Sequence, residues 1–480
     1  MVAGFLGGNV VDGAADIFKL LPDKMNEAVD QGLIQARRIH VDHLFEEAEV
    51  VGEMVVEVRE KVFHRSLGKS PLSGPGPPAA FGKQGSFLPF EGESRRRRQG
   101  GQRRVTSSPL FYNRRAMKLA ILGTRGIPAN YGGFETFAEE LSVRLASRGH
   151  DVTVYGRSNN IRYSGRTYRG VHLVVLPTIA TKHLDTVVHT FLSVLHAAPQ
   201  RFDCILLCNA ANAAFSIVPR MTAVPVVLNV DGIERKRKKW GPAGRLYYRI
   251  SEYLATILPS AIVTDAAIIR DYYARRYGAD SVMIAYGTGC MRVETAEIQK
   301  RLNVQPREYL LYVSRLEPEN NAHLVIQAFE TVRTSKPLLV VGDAPYARKY
   351  IERLKQTRDP RVRFPGAIYG TGYGELQSHA YLYIHATEVG GTHPALVEAM
   401  GAGNCVIVYD TPENREVVGG AGLFFKDAAE LSKLLQSAVD DPRMVDEFRR
   451  KARQRAETEY SWDRITDQYE KLFSDLKRSG

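Results

Sequence analysis

No apolar run in this chain reaches the roughly 18 to 20 residues needed to cross a bilayer, and the N-terminus lacks a basic start, an apolar core and a small-residue cleavage site in succession. The protein is therefore expected to be soluble or peripheral, not integral to a membrane. Cysteine is scarce: 480 residues hold four, Cys204, Cys208, Cys290 and Cys405, with no paired metal-ligand spacing. That excludes a disulfide scaffold. Cys204 and Cys208 enclose the apolar run Cys-Ile-Leu-Leu-Cys, so the thiols are read as core residues in a reducing cytoplasm. Also missing are an Asp-x-Asp pair after a strand, a His-x-x-x-His and a Cys-x-x-Cys, so neither a metal nor another cofactor is expected.

What is present is ordinary globular composition, with 44% hydrophobic and 25% charged residues in a length that allows two or three domains. The net charge of +12 suggests nucleic acid or an anionic membrane, but Arg95 to Arg98, Arg103, Arg104, Arg114 and Arg115 carry eight positive charges in one short stretch. The arginine tract has no interleaved aromatics and no recognisable nucleic-acid fold, so it is read as a solvated tail and no nucleic-acid partner is expected. Residues 1–116 differ in texture from the rest. Helical spacing runs through Ile17, Leu20, Leu21, Met25 and Val29 after a start at Asp12 or Asp16, and from Ser70 a Pro/Gly/Ser/Arg stretch has too little apolar surface to order itself. Met117-Lys-Leu-Ala-Ile-Leu-Gly123 then reads as a protein starting afresh. The upstream region is either a mis-assigned extension before a natural start at Met117 or a genuine disordered appendage.

From Met117 strands and helices alternate. Strands are predicted at Lys118 to Leu122, Asp151 to Tyr155, Val171 to Leu176, Cys204 to Cys208, Val226 to Val230 and Ala261 to Thr264, with an amphipathic helix over Phe134 to Arg148. The series restarts at Tyr309 to Arg315 and continues with Leu338 to Val341, Val362 to Phe364, Leu382 to His385 and Val406 to Tyr409. Such alternation implies an α/β protein of two Rossmann-like doubly wound domains facing a cleft, over 117–290 and 291–456, with ligands beyond the carboxyl ends of the strands. A last amphipathic helix, within 457–480, is capped by Ser461 and places Ile465, Tyr469 and Leu472 on one face.

The most informative stretch is Glu388-Val-Gly-Gly-Thr-His-Pro-Ala-Leu-Val-Glu398, a Gly-rich turn feeding a helix. Helix starts leave backbone N–H groups unpaired behind a partial positive charge, so Gly390, Gly391, Thr392 and His393 suit a diphosphate, and Glu398 could accept from a ribose. A turn that merely opens a helix explains the same glycines, and His393 also reads as a helix-start residue. The loop Gly123 to Glu135, with Gly132-Gly133, follows a strand and precedes a helix, but it is neither a Gly-x-Gly-x-x-Gly fingerprint nor a Walker loop. Asp231 and Glu234 sit at a strand end before the basic cluster Arg235 to Lys239.

Together these segments resemble the retaining nucleotide-sugar glycosyltransferases of family 4, which have the two-domain GT-B fold. Five separated segments carry the likeness in order over residues 117 to about 476. The wording of Gly-Thr-Arg-Gly-Ile-Pro-Ala-Asn-Tyr-Gly-Gly-Phe-Glu-Thr-Phe and of Arg315-Leu-Glu-Pro-Glu-Asn-Asn is similar to the rhamnosyltransferase-like branch that builds bacterial surface polysaccharides. Two departures stand out. The family pairs a Glu with a second Glu eight positions later, but counting back from Glu398 lands on Gly390, with Glu388 the nearest carboxylate; and where the family has an arginine and a lysine five residues on, this chain has Arg315 and Asn320.

The resemblance implies transfer of L-rhamnose from dTDP-rhamnose to a glycan or polyprenyl-linked glycan acceptor. Transfer is expected to be metal-independent and cytoplasmic; apart from the resemblance, the basic cluster with Arg245-Leu-Tyr-Tyr-Arg-Ile and the apolar helix through Leu258 could dock peripherally on the anionic inner face of the plasma membrane. The resemblance implies Arg315, Asp231 and Glu388 as catalytic residues, and donor contacts from Gly132, Gly133, Arg315, Asn320, Gly366, Tyr369, Gly390, Gly391, Thr392, His393 and Glu398. Arg125, Asp231, Glu234 and Lys236 fall on the acceptor side, Arg125 or Lys236 being candidates to replace the missing lysine. The last helix is expected to brace the first domain. A sugar-nucleotide epimerase and a non-catalytic nucleotide- or glycan-binding partner of a polysaccharide assembly complex remain as alternative readings.

Overall fold

The computed structural model describes residues 116–480 except Tyr131, Lys182, His183, Lys238, Lys239, Cys290, Met291, Pro345, Tyr346 and Gly480. The expectations placed on residues 1–115, and on Cys290, lie outside the described residues. Cys204, Cys208 and Cys405 are free and buried. Among the described residues no helix is long and apolar enough to cross a membrane.

Two sheets organise the chain. The first contains β1 (Lys118–Leu122), β2 (Asp151–Arg157), β3 (Thr167–Tyr168), β4 (Val171–Leu176), β5 (Cys204–Cys208), β6 (Val226–Asn229), β7 (Ala261–Thr264) and β8 (Val282–Met283), in the order β3-β4-β2-β1-β5-β6-β7-β8. Only β3 runs antiparallel to its neighbour. The second holds β9 (Leu310–Val313), β10 (Leu338–Val341), β11 (Val362–Gly366), β12 (Leu382–His385), β13 (Val406–Tyr409) and β14 (Leu423–Phe425), all parallel, in the order β11-β10-β9-β12-β13-β14. In both sheets the winding reverses beside the first strand, between β1 and β5 and between β9 and β12. Crevices for ligands open at such switch points, beyond the carboxyl ends.

Seven of the predicted strands are found with the predicted ends, and β2, β6, β9 and β11 with ends shifted by one or two residues. The three that were not predicted, β3, β8 and β14, are two or three residues long, too short to show a period of two. Alternate residues of a strand feed different cores: Leu119 and Ile121 pack on one side of the first sheet, Ala120 and Leu122 on the other. Both faces are therefore covered by helices, and the strands read as continuous apolar runs. The helices that matter for the site are α1 (Gly133–Ser147), α2 (Pro242–Leu254), α3 (Ala267–Tyr277), α4 (Gly370–His379), α5 (Pro394–Gly401) and α6 (Trp462–Ser479).

Helix α6 returns to the first sheet after the second is complete. Thr288 on the way out and Ser461 on the way back form a bridge, with Thr288 N–H donating to the Tyr460 carbonyl and Trp462 N–H to the Thr288 carbonyl. Ile465 and Tyr469 are buried, as the predicted face requires, and Leu472 packs against the same core. Trp462 and Tyr469 both approach Phe137 of α1, with ring centroids 6.3 and 5.5 Å apart. Polar contacts complete the brace: Asn229 Nδ2 donates to Tyr469 Oη at 2.9 Å, and Arg148 reaches Glu470 at 2.8 Å.

Removing this anchor costs both packing and a buried hydrogen bond. Tyr469→Ala is expected to destabilise folding by about 3 to 5 kcal/mol, and Tyr469→Phe, which strands the Asn229 amide, by about 1 to 3 kcal/mol. Urea unfolding of the two variants checks this; a Phe variant as stable as the parent removes the polar part of the argument.

Candidate active site between the two sheets

The two domains touch along backbones with little side chain between them. A β-carbon on Gly232 would lie 2.9 Å from the Gly390 carbonyl carbon, and one on Gly391 would lie 2.2 Å from the Asp265 carboxylate. Gly133, at the start of α1, has Pro394 of α5 in front of it. The two glycine loops singled out in the sequence therefore face each other, at the mouth of the second sheet's switch point.

One expected donor contact is already taken. Thr392 N–H donates to Asp265 Oδ2 at 2.7 Å, and the Thr392 hydroxyl donates to the Asp265 carbonyl. Asp265 follows β7 in the first domain and is fully buried; burial, and then the nearby Asp231, raise its pKa well above the ordinary value. A carboxylate of the protein thus sits where the turn was expected to offer its Thr392 amide to a diphosphate. No hydrogen bond takes the His393 N–H among the described residues, so the start of α5 keeps a donor.

His393 is the residue before α5, and its side chain makes no capping bond. Its ring lies 4.8 Å from that of His385, centroid to centroid. Burial, followed by the charges of Arg237 and Arg315, pushes the His393 pKa down to about 3; burial and His393 itself hold His385 well below the ordinary range. Both rings are neutral at neutral pH, so His393 can donate or accept a hydrogen bond there but carries no proton for acid catalysis.

Arg315 follows β9, with 44% of its side chain exposed and its nearest carboxylate, Glu317, 4.0 Å away. It is held loosely. Asn320, at the position of the family lysine, turns back instead of facing a donor: its Nδ2 donates to the Arg315 carbonyl at 2.6 Å, and its own carbonyl accepts from Tyr312 Oη. Its expected contact with the donor is therefore replaced by a role in shaping the Arg315 loop. Glu388 accepts a hydrogen bond from Asn321 Nδ2 at 3.0 Å.

Among the described residues, Arg237 approaches from the other domain, and the sequence reading passed it over. Burial works against its charge, but Glu234, Asp231, Glu317 and Glu319 more than offset this and raise its pKa. Glu234 pairs with it at 2.6 Å and also accepts from Trp240 Nε1. The two residues proposed as substitutes for the lysine sit on different elements of the first domain. Lys236 lines a separate pocket beside α2, and Arg125 belongs to the loop before α1, where its N–H donates to Glu135 Oε1 at 3.0 Å. Glu135 is itself buried, its pKa raised chiefly by burial, and it secures the loop that ends in Gly132-Gly133.

Asp231 does reach the cleft. It adopts a left-handed backbone conformation (φ 57°) beside Gly232 and accepts from Tyr286 Oη at 3.1 Å. Burial, then Glu234, raise its pKa. Glu398 lies one turn into α5, where Tyr373 Oη of α4 donates to it at 2.6 Å and Gln377 Nε2 donates to Tyr373 in turn. Burial raises the Glu398 pKa to about 7. Gly366, with φ 83°, ends β11 in open space, and Tyr369, 56% exposed, precedes α4. Both belong to the same edge of the sheet as Arg315, on strands further from the switch point.

With this geometry in place, comparisons with known proteins fix the family. The description "Glycosyl transferases group 1" matches residues 293–456, and "Glycosyltransferase Family 4" matches residues 131–287. Between them they cover the second sheet and every strand of the first except β1. The glycogen synthase of Mycobacterium tuberculosis is 23% identical over 408 residues, which is 75% of this chain and 95% of that protein. Among solved structures, the sucrose-phosphate synthase of Thermosynechococcus elongatus superposes with a TM-score of 0.64 at 18% identity, over 76% of this chain and all of that one. Anabaena HepE in complex with UDP and glucose gives 0.61 at 18% identity, over 75% of this chain and all of that one. These structures share its fold. The chain belongs to the family 4 glycosyltransferases, with the GT-B arrangement of two Rossmann-like domains.

Proposed function

We propose that this glycosyltransferase moves a sugar from a nucleotide-diphosphate donor to a glycan, lipid-linked in the cell, with retention of anomeric configuration, and that dTDP-L-rhamnose is the donor to try first. The observation that carries the reading is the convergence of Arg315, Arg237 and His393 where the glycine turn opens α5, beyond the ends of β9 and β12. Two cations from opposite domains and a neutral imidazole suit a diphosphate that gains charge as it leaves. A nucleotide-sugar donor is also supported by the HepE structures, which are complexes with UDP and with UDP-glucose.

In this reading the bond between the anomeric carbon and the diphosphate oxygen breaks while Arg315 swings onto the departing phosphate. Arg237 approaches from the acceptor domain and takes the part of the lysine that Asn320 does not supply. Charge stabilisation of this kind is commonly the largest catalytic contribution. The acceptor hydroxyl attacks from the face the diphosphate leaves, oriented by Asp231, and its proton passes to the departing phosphate. Glu398, positioned by Tyr373, accepts from the ribose hydroxyls, and the charge neutralisation requires no metal.

Thermal shifts with dTDP-rhamnose, UDP-glucose, UDP-N-acetylglucosamine and GDP-mannose test the donor: one of them raises Tm, and Arg315→Ala and Glu398→Ala abolish the rise. No shift with any donor, or a donor that binds and is never consumed with acceptors present, favours the non-catalytic binding partner; consumption without acceptor favours an epimerase. Arg237→Gln is expected to lower kcat for transfer roughly a hundredfold. A kcat within twofold of the parent excludes that arginine from leaving-group stabilisation. Glu398 predicts a pH effect of definite sign. Because its pKa rises from 4.5 to about 7 on folding, the folded chain holds a proton the unfolded chain releases, so stability is lost as pH climbs through this window. The loss is on the order of 3 kcal/mol. Glu398→Gln should therefore gain on the parent in urea unfolding at pH 8 relative to pH 4.5, and a gain independent of pH contradicts the assignment.

A further inference from the structure

The first domain carries a second polar cavity that transfer of the sugar does not use. It has a volume of about 510 Å³ and is lined by Arg235, Lys236, Pro242, Arg245, Leu246 and Arg249. Four of these belong to α2 at positions i, i+3, i+4 and i+7, which is one face of a helix. The opposite face is fixed: Tyr248, Ser251 and Glu252 are buried, Trp240 stacks on Tyr248 with centroids 5.1 Å apart, and Tyr247 Oη donates to the Ala211 carbonyl at 2.7 Å. The cationic face is thus held in place, with no freedom to turn inward.

Its charges lack counterparts. Among the described residues the side chains of Lys236, Arg245 and Arg249 make no hydrogen bond or ion pair, and no carboxylate lines the cavity. Arg235 is the exception: Glu252 and Tyr272 hold its guanidinium at 3.1 and 2.7 Å, which fixes the wall the others face. Two arginines four apart on a helix repel each other, and an anion between them relieves the repulsion. The first turn of α2 adds unpaired N–H groups and a partial positive charge on the same side. Leu246, 42% exposed, and Pro242 add an apolar rim.

We propose that this cavity binds the diphosphate of an isoprenoid-diphosphate-linked acceptor, the isoprenoid chain leaving over Leu246 and the sugar pointing into the cleft. The inference rests on the lipid-linked acceptor of the reading above. Chain continuity supports the direction: Arg235 and Lys236 lie in the cavity while Asp231 and Arg237, on the same segment, face the cleft. Lys236 is five positions from Asp231, a reach of at most about 18 Å. A sugar on the bound diphosphate therefore lies close to the place of transfer.

Calorimetric titration of the full chain, with the nucleotide diphosphate saturating the donor site, tests it. The probes are inorganic pyrophosphate, farnesyl diphosphate and phosphatidylglycerol vesicles, and the variant is Arg245→Gln with Arg249→Gln. Farnesyl diphosphate should bind the parent more tightly than pyrophosphate does. The variant should lose about tenfold or more in affinity for both, while nucleotide affinity, which reads the donor site separately, stays as in the parent. Equal affinity of parent and variant for both soluble probes overturns the site. Farnesyl diphosphate binding no tighter than pyrophosphate, or arginine-dependent capture on phosphatidylglycerol vesicles that farnesyl diphosphate does not displace, overturns the lipid-linked acceptor. Because nothing here depends on turnover, a failure to transfer sugar leaves the result readable.

Discussion

The contact between Asp265 and the Gly391-Thr392 turn is the constraint around which the two domains are arranged. It joins the end of β7 in one sheet to the loop after β12 in the other, through a carboxylate, an amide, a hydroxyl and a carbonyl. Such close approach is possible because Gly232 and Gly391 present no β-carbon. The usual reason for glycine beside a phosphate is access for the ligand. Here the same absence of side chain also lets the first domain reach the turn, so in the proposed reading an incoming diphosphate would compete with an internal carboxylate for neighbouring donors.

That competition gives the electrostatics their shape. Asp231, Asp265, Glu317 and Glu319 crowd a cleft whose cations, among the described residues, include Arg237 and Arg315, and burial raises the pKa of the two aspartates. The two histidines are shifted the opposite way, since burial disfavours their charged form, helped at His393 by the neighbouring guanidinium groups and at His385 by His393. A bound diphosphate adds negative charge to this balance. Its natural counterweights are the two arginines, and its entry favours retention of protons by the aspartates.

The sheets were legible in the sequence because their central strands, such as β1, β5, β10 and β12, are buried on both faces and read as apolar runs between turn residues. The turn before α5 was legible for a related reason: Gly390, Gly391 and Pro394 report on local backbone, and local backbone is what sequence spacing encodes. The rest of the site was not. Asp265 lies 127 positions from Thr392 and nothing in its own neighbourhood, Thr264-Asp265-Ala266, marks it as a partner. Arg237 stood in a run of basic residues from which spacing alone could not choose the one facing the cleft, and Lys236 beside it turned the other way. Asn320 was recognisable as a departure, but its hydrogen bond to the Arg315 carbonyl belongs to a loop conformation. Tyr373, which positions Glu398, reaches it from a different helix.

The pairing of Thr288 with Ser461 has a mechanical consequence. The chain leaves the first sheet and returns to it through two segments that are hydrogen-bonded side by side, and α6 is then pinned to α1 through Phe137, Trp462 and Tyr469. Any separation of the domains that admits a substrate must flex both straps together, about the short line they share, because shear between them would break the bridge. The enzyme is thus built as a jaw with a double-stranded pivot on one side and the Asp265-Thr392 clasp between its facing surfaces, so a single angular coordinate couples opening of the cleft to release of the turn.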